Sequence, residues 1–175
     1  MRTPLPSPRP RDGGTDLASL PGMEAHIFIG IQASGKSTFY QRCFFDTHVR
    51  INLDMLRTRN RERLLFEACL RAGQPLVIDN TNPTAADRAR YIGPAQAAGF
   101  RITGYFFEPD PRGCYERNER RARTVPPAGL FGTLKRLERP VFTEGFDELC
   151  QVVLQPDGRF EVSSYIASPD RRRAR

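Results

Sequence analysis

A glycine-bearing turn that ends in a lysine and two hydroxyl residues is the stretch of this sequence best suited to chemistry. It reads Gly-Ile-Gln-Ala-Ser-Gly-Lys-Ser-Thr over residues 30–38 and fits the pattern G-x-x-x-x-G-K-[ST], which binds nucleotide phosphates. Residues 25–29 before it predict a buried strand, and residues 36–45 predict a helix whose positive end points at the phosphates. A glycine turn that only caps a helix is the alternative, and the strand–turn–helix order favours nucleotide binding. The predicted nucleotide-binding residues are Gly30, Ala33, Ser34, Gly35, Lys36, Ser37 and Thr38.

Lys36 is also unusual in composition, because the chain contains 25 Arg and only two Lys. A compact, rotatable ammonium group at this position suits the β- and γ-phosphates of a nucleotide. We therefore predict a catalytic role for Lys36.

Acidic residues follow the next two predicted strands. One strand covers residues 49–53 and is followed by Asp54; the other covers residues 74–79 and ends at Asp79. Because the carboxyl ends of parallel strands lie at one edge of the sheet, both acids should lie near the phosphate turn. Ser37 is predicted to bind Mg²⁺, and Asp79 to hold a water of the Mg²⁺ shell or to orient an arginine. Asp79 could instead cap the turn that follows it.

Asp54 is predicted to act as a general base that accepts a proton from an attacking hydroxyl. Its alternative role is that of a helix N-cap, since aspartate is preferred there. Arg57, one turn further along the predicted helix, would face the same cleft or else lie on a solvated helix face.

A cluster of arginines follows the fourth predicted strand. Acidic residues alternate with these arginines. The segment therefore predicts either a salt-bridged surface helix or a mobile lid whose arginine closes on the transition state. Helix breakers over residues 126–129 favour the lid. The arginines are Arg112, Arg117, Arg120, Arg121 and Arg123.

Strand and helix patterns alternate along the chain and predict an α/β fold, a three-layer α/β/α P-loop NTPase with a central parallel sheet and an arginine-rich lid. Gly93-Pro94 should kink or break the helix predicted over residues 84–98. The predicted helices cover residues 54–72, 84–98, 111–121 and 130–138. The later strands cover residues 101–107, 150–154 and 159–162.

Composition divides the chain of 175 residues into a disordered leader (1–22), one domain (23–166) and a basic tail (167–175). The tails hold more than half of the net charge of +7, so net charge decides little about partners. The four cysteines are scattered and indicate buried thiols in a reducing compartment. No run reaches the length of a membrane span and no signal peptide is evident, so we expect a cytoplasmic protein.

At these motifs the sequence resembles the kinase domain of polynucleotide 5′-hydroxyl kinases, of both the phage and animal types. The resemblance covers residues 24–150, and its most specific part is the run Asp-Asn-Thr-Asn-Pro at 79–83 with Arg-Ala-Arg-Tyr at 88–91. The other matching pieces are the phosphate turn, Ile-Asn-Leu-Asp at 51–54 with Arg57, Arg117-Asn118 through Arg121, Val125-Pro126, and Thr-Glu-Gly-Phe at 143–146.

The resemblance implies an ATP- and Mg²⁺-dependent kinase whose substrate is the 5′ end of a nucleic acid. It implies that Asp54 is the general base, that Arg57 contacts the reacting phosphate, and that Arg121 reaches the β/γ-phosphates from the lid. It also implies that Arg117 supports nucleotide binding. Lys36, Ser37 and Asp79 match active-site positions of that family. The residues before the first strand leave no room for the further domains of the animal enzymes, so we expect a stand-alone kinase module.

One departure keeps other functions open. The family has an arginine before the base, where it helps to hold the acceptor, and this chain has Leu53. A kinase of a small-molecule hydroxyl substrate is therefore a second hypothesis, and a nucleotide-sensing module with weak hydrolysis is a third. The chain has neither an N-K-x-D motif nor a second acid after Asp79, which argues against GTPases and many AAA-type ATPases.

Overall fold

Six strands and six α-helices make up the part of the chain that the computed structural model describes, residues 22–120 and 124–165. The strands are β1 (Glu24–Ile29), β2 (Val49–Ile51), β3 (Leu76–Ile78), β4 (Arg101–Phe107), β5 (Glu148–Leu154) and β6 (Phe160–Ser164). The helices are α1 (Lys36–Cys43), α2 (Leu53–Leu56), α3 (Arg59–Ala72), α4 (Ala85–Ala97), α5 (Pro111–Glu119) and α6 (Pro127–Arg136). A 3₁₀ helix covers Phe142–Glu144.

The strands form one sheet in the order β2-β3-β1-β4-β5-β6. The first five strands in this order are parallel, and only β6 runs antiparallel to its neighbour β5. β1 lies between β3 and β4. The connection from β1 to β2 and the connection from β3 to β4 therefore run in opposite directions across the sheet. In open parallel sheets such a reversal opens a crevice at the carboxyl ends of the strands.

Two apolar clusters lie on the two faces of the sheet, since alternate residues of β1 point to opposite faces. Phe28 packs with Phe39 and Phe44, which come from α1 and the turn after it. Ile27 belongs to the other cluster, which includes Phe66 of α3. Helices therefore cover both faces, and the prediction of a three-layer α/β/α fold is confirmed.

The helix predicted over residues 54–72 is two helices, and that prediction was wrong at its start. The Asn52 side chain accepts a hydrogen bond from Met55 N at 3.1 Å and caps α2, while Thr58 accepts from Arg61 N at 3.2 Å and caps α3. Between them Arg57 has a φ of 72°, which no α-helix contains. Two capping residues six positions apart thus begin two helices.

Other boundaries also differ from the sequence predictions. Helix α4 continues through Pro94, so the proline does not break it. Its buried face, which includes Tyr91 and Ile92, packs into the core, and such packing supplies most of the stability of helices in proteins. Helix α6 begins at Pro127 and not at residue 130, because proline suits the first turn of a helix. Helix α5 ends at Glu119, two residues before its predicted end.

Two further predictions concern the cysteines and the membrane. Cys69, Cys114 and Cys150 are buried, Cys43 is half-buried, and all four are free thiols. Within residues 22–120 and 124–165, none of the helices combines the length and the apolar character that crossing a membrane requires. The predicted leader (except Gly22) and the basic tail lie outside the described residues.

Candidate active site

The turn between β1 and α1 has a backbone that its glycine makes possible. Gly35 has a φ of 95° and is the N-cap of α1. A Cβ atom at this position would lie 2.9 Å from Cε1 of Phe160, and the positive φ disfavours any other residue. Ala33 also has a positive φ, of 59°. The sequence pattern therefore corresponds to a compact turn at the start of a helix, as phosphate binding requires.

Lys36 lies inside this turn and is buried. Its Nζ donates to the carbonyl oxygens of Gly30 at 3.0 Å and Ile31 at 2.5 Å, and to Ser34 Oγ at 3.3 Å. The ammonium group is therefore held at the centre of the turn, at the end of β1. Thr38, in contrast, is exposed on the first turn of α1.

Ser37 and Asp79 meet at the carboxyl ends of the strands. Ser37 Oγ donates to Asp79 Oδ2 at 3.0 Å, and the Asp79 side chain is only 1% exposed. Two hard oxygen ligands, the kind that Mg²⁺ prefers, thus lie side by side. This pair was expected from the rule that ligands bind beyond the carboxyl ends of parallel strands.

Arg50 completes this pair, and the sequence analysis did not single it out. Its Nε donates to Asp79 Oδ2 at 2.8 Å, and its Nη2 donates to the same oxygen at 2.5 Å and to Ser37 Oγ at 2.8 Å. The guanidinium also lies over the ring of Tyr40, 5.5 Å from its centroid. Arg50 therefore neutralises the buried carboxylate in this state of the protein.

We expect Arg50→Met to lower the free energy of unfolding by about 1–3 kcal/mol, because it leaves a buried carboxylate without its cation. The loss should be smaller than for a fully buried pair, since the Arg50 side chain is 27% exposed. Urea unfolding measures the effect. Arg63→Met, at an exposed i,i+4 pair with Glu67, is the control and should cost less than about 0.5 kcal/mol. Equal costs for the two variants would contradict the assignment.

Asp54 lies in the same cleft as Ser37 and Asp79. The cleft has a volume of about 440 Å³ and is lined by Lys36, Ser37, Asp54 and Asp79 among other residues. Asp54 is exposed and is the second residue of α2, whose cap is Asn52. The alternative that Asp54 serves as the helix N-cap is therefore wrong, and its carboxylate remains available for chemistry.

Three asparagines and one backbone contact hold the cleft together. Asn52 Nδ2 donates to the Asp79 carbonyl, and Asn80 Oδ1 accepts from Leu53 N at 2.9 Å. Asn82 Nδ2 donates to the Phe28 carbonyl at 2.8 Å, and Gly30 N donates to the Thr81 carbonyl at 3.0 Å. The run after β3 therefore ties the ends of β1 and β2 to that of β3.

Two predicted arginines have definite positions. Arg117 Nε donates to the carbonyl of Ala33 at 2.9 Å, so it binds the phosphate turn directly. Arg57 follows the last residue of α2, is exposed, and does not line the cleft, so the structure does not bring it to the other site residues. Arg57 N still donates to the Leu53 carbonyl at 2.7 Å, but its φ of 72° is not helical, so its side chain does not take the direction that a continuous helix would give it. Arg121 lies outside the described residues.

Three arginines that sequence reasoning missed line the other side of the cleft: Arg59, Arg90 and Arg136. Arg136 lies 3.5 Å and Arg90 3.6 Å from Asp87, and Arg59 donates to Glu62 at 2.7 Å. Arg90 belongs to the Arg-Ala-Arg-Tyr run of the family resemblance, whereas Arg59 and Arg136 have no signal in the sequence beyond the abundance of arginine. The three arginines outnumber the two carboxylates with which they pair, so this rim of the cleft keeps a net positive charge that could hold an anionic ligand.

A buried tyrosine anchors this rim. Burial raises the pKa of Tyr91 to about 12, so the phenol keeps its proton. It donates to Glu62 Oε1 at 3.0 Å, and the Asn80 amide donates to the same oxygen at 2.6 Å. The start of α3 is thereby fixed to the turn after β3.

Sequence comparison identifies one curated relative. Over 135 residues, 74% of this chain, the sequence is 26% identical to the bifunctional polynucleotide phosphatase/kinase of Schizosaccharomyces pombe. The match covers 33% of that protein, so the chain spans about a third of its length.

Solved structures with the same fold include three proteins of low sequence identity. Chaetomium thermophilum Kti12, solved with ADP-AlF3, has a TM-score of 0.61 at 15% identity, covering 77% of this chain and 92% of that one. The Streptococcus pneumoniae PezAT toxin–antitoxin structure has a TM-score of 0.59 at 14% identity, covering 87% and 76%. A gluconokinase from Sinorhizobium meliloti 1021 has a TM-score of 0.52 at 18% identity, covering 76% and 84%. At such identities the likeness shows the fold.

A family match covers most of the chain and includes the phosphate turn, Asp54, Asp79 and Arg117. Residues 26–140 match the family described as AAA domain. This match shows that the chain belongs to the AAA domain family, and the solved structures show that it has the fold of P-loop kinases.

Proposed function

We propose that the chain is an ATP- and Mg²⁺-dependent kinase that phosphorylates 5′-hydroxyl ends of DNA or RNA. The observation that carries the proposal is the presence of Asp54 in one cleft with Lys36, Ser37 and Asp79. A phosphate turn alone would support nucleotide binding, whereas an exposed carboxylate in the same cleft supports transfer to a hydroxyl.

The residues of the cleft fit ATP and Mg²⁺. The αL backbone at Gly35 opens α1 toward a phosphate, and Lys36 lies in the turn where it would hold β/γ-phosphate oxygens. Ser37 and Asp79 offer hydroxyl and carboxylate oxygens for Mg²⁺, and Arg50 would give up its contacts with them. ATP supplies the phosphoryl group, and Mg²⁺ neutralises charge on it.

Asp54 would orient the attacking hydroxyl and take its proton at a carboxylate oxygen. The exposure of Asp54 lets an oligonucleotide end reach it. Arg117 would keep Ala33 and the phosphate turn in place. In this proposal Arg121 and Arg57 retain the phosphate-contacting roles that the resemblance implies, and Arg57 would have to turn toward the cleft.

Arg59, Arg90 and Arg136 support a nucleic acid as the acceptor. They line the cleft beside Leu53, which stands where the resembling family has an arginine. Backbone phosphates are bound mainly by arginine and lysine, so these residues could supply the contact that Leu53 does not. The curated relative, a bifunctional polynucleotide phosphatase/kinase, agrees with this choice.

A small-molecule hydroxyl acceptor is the second candidate. Leu53 itself lines the cleft, and an apolar side chain beside Asp54 suits a compact substrate as well as a strand end. Incubation with γ-labelled ATP, Mg²⁺ and a 5′-hydroxyl oligonucleotide tests both candidates. Label on the oligonucleotide supports the first, and ATP binding without any label transfer to oligonucleotides contradicts it.

We expect Arg117→Met to weaken ATP binding by about 10–100-fold, the equivalent of one charged hydrogen bond of about 1.5–3 kcal/mol. The reason is that Arg117 is bonded to the Ala33 carbonyl in the phosphate turn. Calorimetric titration with ATP measures the change. Arg112→Met, an exposed arginine of the same helix paired with Glu116, should leave ATP affinity unchanged. A loss in both variants would point to helix charge and not to the contact with Ala33.

A further inference from the structure

Glu24, His26 and His48 form a cluster at the end of the sheet opposite the phosphate turn. Glu24 and His26 begin β1, whose other end leads into the turn, and His48 directly precedes β2. One potential ligand atom from each side chain lies within 4.8 Å of the others. Glu24 Oε2 is 3.5 Å from Nε2 of His26 and 3.8 Å from Nε2 of His48. The proposed kinase chemistry uses none of these residues.

Two ring nitrogens of the cluster are buried without a hydrogen-bond partner among the described residues, Nδ1 of His26 and Nε2 of His48. The two side chains are 8% and 11% exposed. Burying a polar atom without a partner costs about 1–3 kcal/mol, so such atoms in a native protein call for an explanation. A cation bound to Nε2 of His48, the ring nitrogen that faces Glu24, would supply one for that atom.

The orientation of His48 suits a metal ligand. The Thr47 hydroxyl donates to the carbonyl of Phe44 at 3.4 Å, and its oxygen lies 2.7 Å from Nδ1 of His48. In the tautomer that carries its proton on Nδ1, His48 donates to the Thr47 oxygen while Thr47 donates to Phe44, and the lone pair of the imidazole then lies on Nε2. Metal-binding histidines are commonly fixed in this way through the nitrogen that does not bind the metal.

Aromatic rings enclose the two imidazoles of the cluster. The rings of Phe44 and Tyr105 pack against His26, with centroids 4.8 and 5.6 Å away, and Phe44 also packs against His48 at 5.0 Å. Arg101, the residue of β4 in register with Glu24, pairs with Glu148 at 3.0 Å.

We propose that Glu24, His26 and His48 bind one divalent transition-metal ion of the zinc type, with water completing its coordination. Two imidazoles and a carboxylate are a donor set that Zn²⁺ accepts, whereas Mg²⁺ takes oxygen ligands. Zn²⁺ bonds of about 2.0–2.2 Å place tetrahedral ligand atoms roughly 3.3 Å apart. The two carboxylate–imidazole separations of 3.5 and 3.8 Å are close to that value, and the histidine–histidine separation, no more than 4.8 Å, would shorten when the ion binds. The Glu24 side chain is 41% exposed, so a metal ion can reach the cluster from solvent on this side.

The ion would stabilise the fold, because it would link the start of β1 to the start of β2 across the entrance of β3. These two strands are not neighbours in the sheet, since β3 separates them. An ion that binds only the folded protein raises its stability with concentration. This site is remote from the cleft, so its existence does not depend on the proposed kinase activity.

Zinc titration of the full chain tests the proposal, with affinity measured by competition against a chelating indicator. We expect one Zn²⁺ per chain and a rise in melting temperature that excess Mg²⁺ does not reproduce. His48→Gln and Glu24→Gln should each lower Zn²⁺ affinity by more than about 100-fold, since losing even a residue that only supports a ligand costs about 10–100-fold. Glu67→Gln, at an exposed carboxylate of α3 paired with Arg63, is the control and should bind as the wild type does.

Cysteine thiols are the other side chains that could bind zinc. A second measurement distinguishes binding by thiols from binding by the cluster. The chain has only two histidines, so ring-nitrogen NMR of the wild type follows both of them directly. We expect both rings to shift in step with the first equivalent of Zn²⁺, and the Co²⁺ complex to lack a thiolate charge-transfer band. Cys43→Ser should leave binding unchanged. Unshifted histidines, a thiolate band, or undiminished affinity in His48→Gln would overturn the proposal.

Discussion

Asp54→Asn is expected to lower the rate of phosphoryl transfer from ATP to a 5′-hydroxyl oligonucleotide by about 10²–10⁴-fold, the usual contribution of a general base. An amide keeps the shape of the carboxylate but cannot accept the proton of the attacking hydroxyl. The fold should not change, because Asp54 is exposed and the cap of α2 is Asn52. Single-turnover measurements with γ-labelled ATP report the chemical step.

The affinity for ATP distinguishes a base from a binding residue. Lys36 and the phosphate turn remain intact in Asp54→Asn, so calorimetric titration should give an ATP affinity close to that of the wild type. Asp46→Asn, an exposed aspartate outside the cleft, is the control and should transfer phosphate normally. Full activity in Asp54→Asn would remove this residue from the mechanism, and an equal loss of affinity and rate would assign it to nucleotide binding.

The part of the site that the sequence predicts is the part built from local pattern. The phosphate turn has contiguous residues, and its glycine requirement at Gly35 reflects a φ of 95° that the turn itself imposes. The meeting of Ser37 with Asp79 needed one further rule, that parallel strands end at a common edge. Both inferences hold without knowledge of the order of the strands.

Arg50 could not be predicted in the same way, because its contact depends on the pairing of β2 with β3. Register places Arg50 opposite Val77 and Ile51 opposite Ile78, and the side chain of Arg50 then reaches Asp79 beyond the end of β3. A shift of one residue would turn the side chain to the other face of the sheet. A strand of three residues carries too little pattern to fix that register.

The position of Arg57 was missed for a different reason. Helix propensity over residues 54–72 favours one helix, and the break needs the two caps Asn52 and Thr58 to act on separate helices. Asn52 is held in turn by the carbonyl of Asp79, a contact across the sheet. Tertiary structure therefore decides where α2 ends, and with it the backbone conformation of Arg57.

Arg88→Met is expected to lower the free energy of unfolding by about 3–5 kcal/mol, the largest effect on stability among these variants. The Arg88 side chain is 0% exposed, and its Nε and Nη2 donate to the Glu144 carboxylate at 2.6 and 2.7 Å. Its Nη1 donates at 3.2 Å to the carbonyls of Asn82, Pro83 and Glu138. One guanidinium thus joins the turn after β3, which lines the cleft, to the 3₁₀ helix. Urea unfolding measures the cost.

Most of that cost should come from the carboxylate left behind, and a double variant tests this reason. Arg88→Met with Glu144→Gln removes the unpaired charge, so it should be less destabilised than the sum of the two single variants. Arg101→Met, at an exposed pair with Glu148, should cost less than about 1 kcal/mol and serves as the control. Strictly additive losses would mean that Arg88 stabilises the turn through its three carbonyl contacts alone. The cleft would then depend on those hydrogen bonds and not on the buried ion pair.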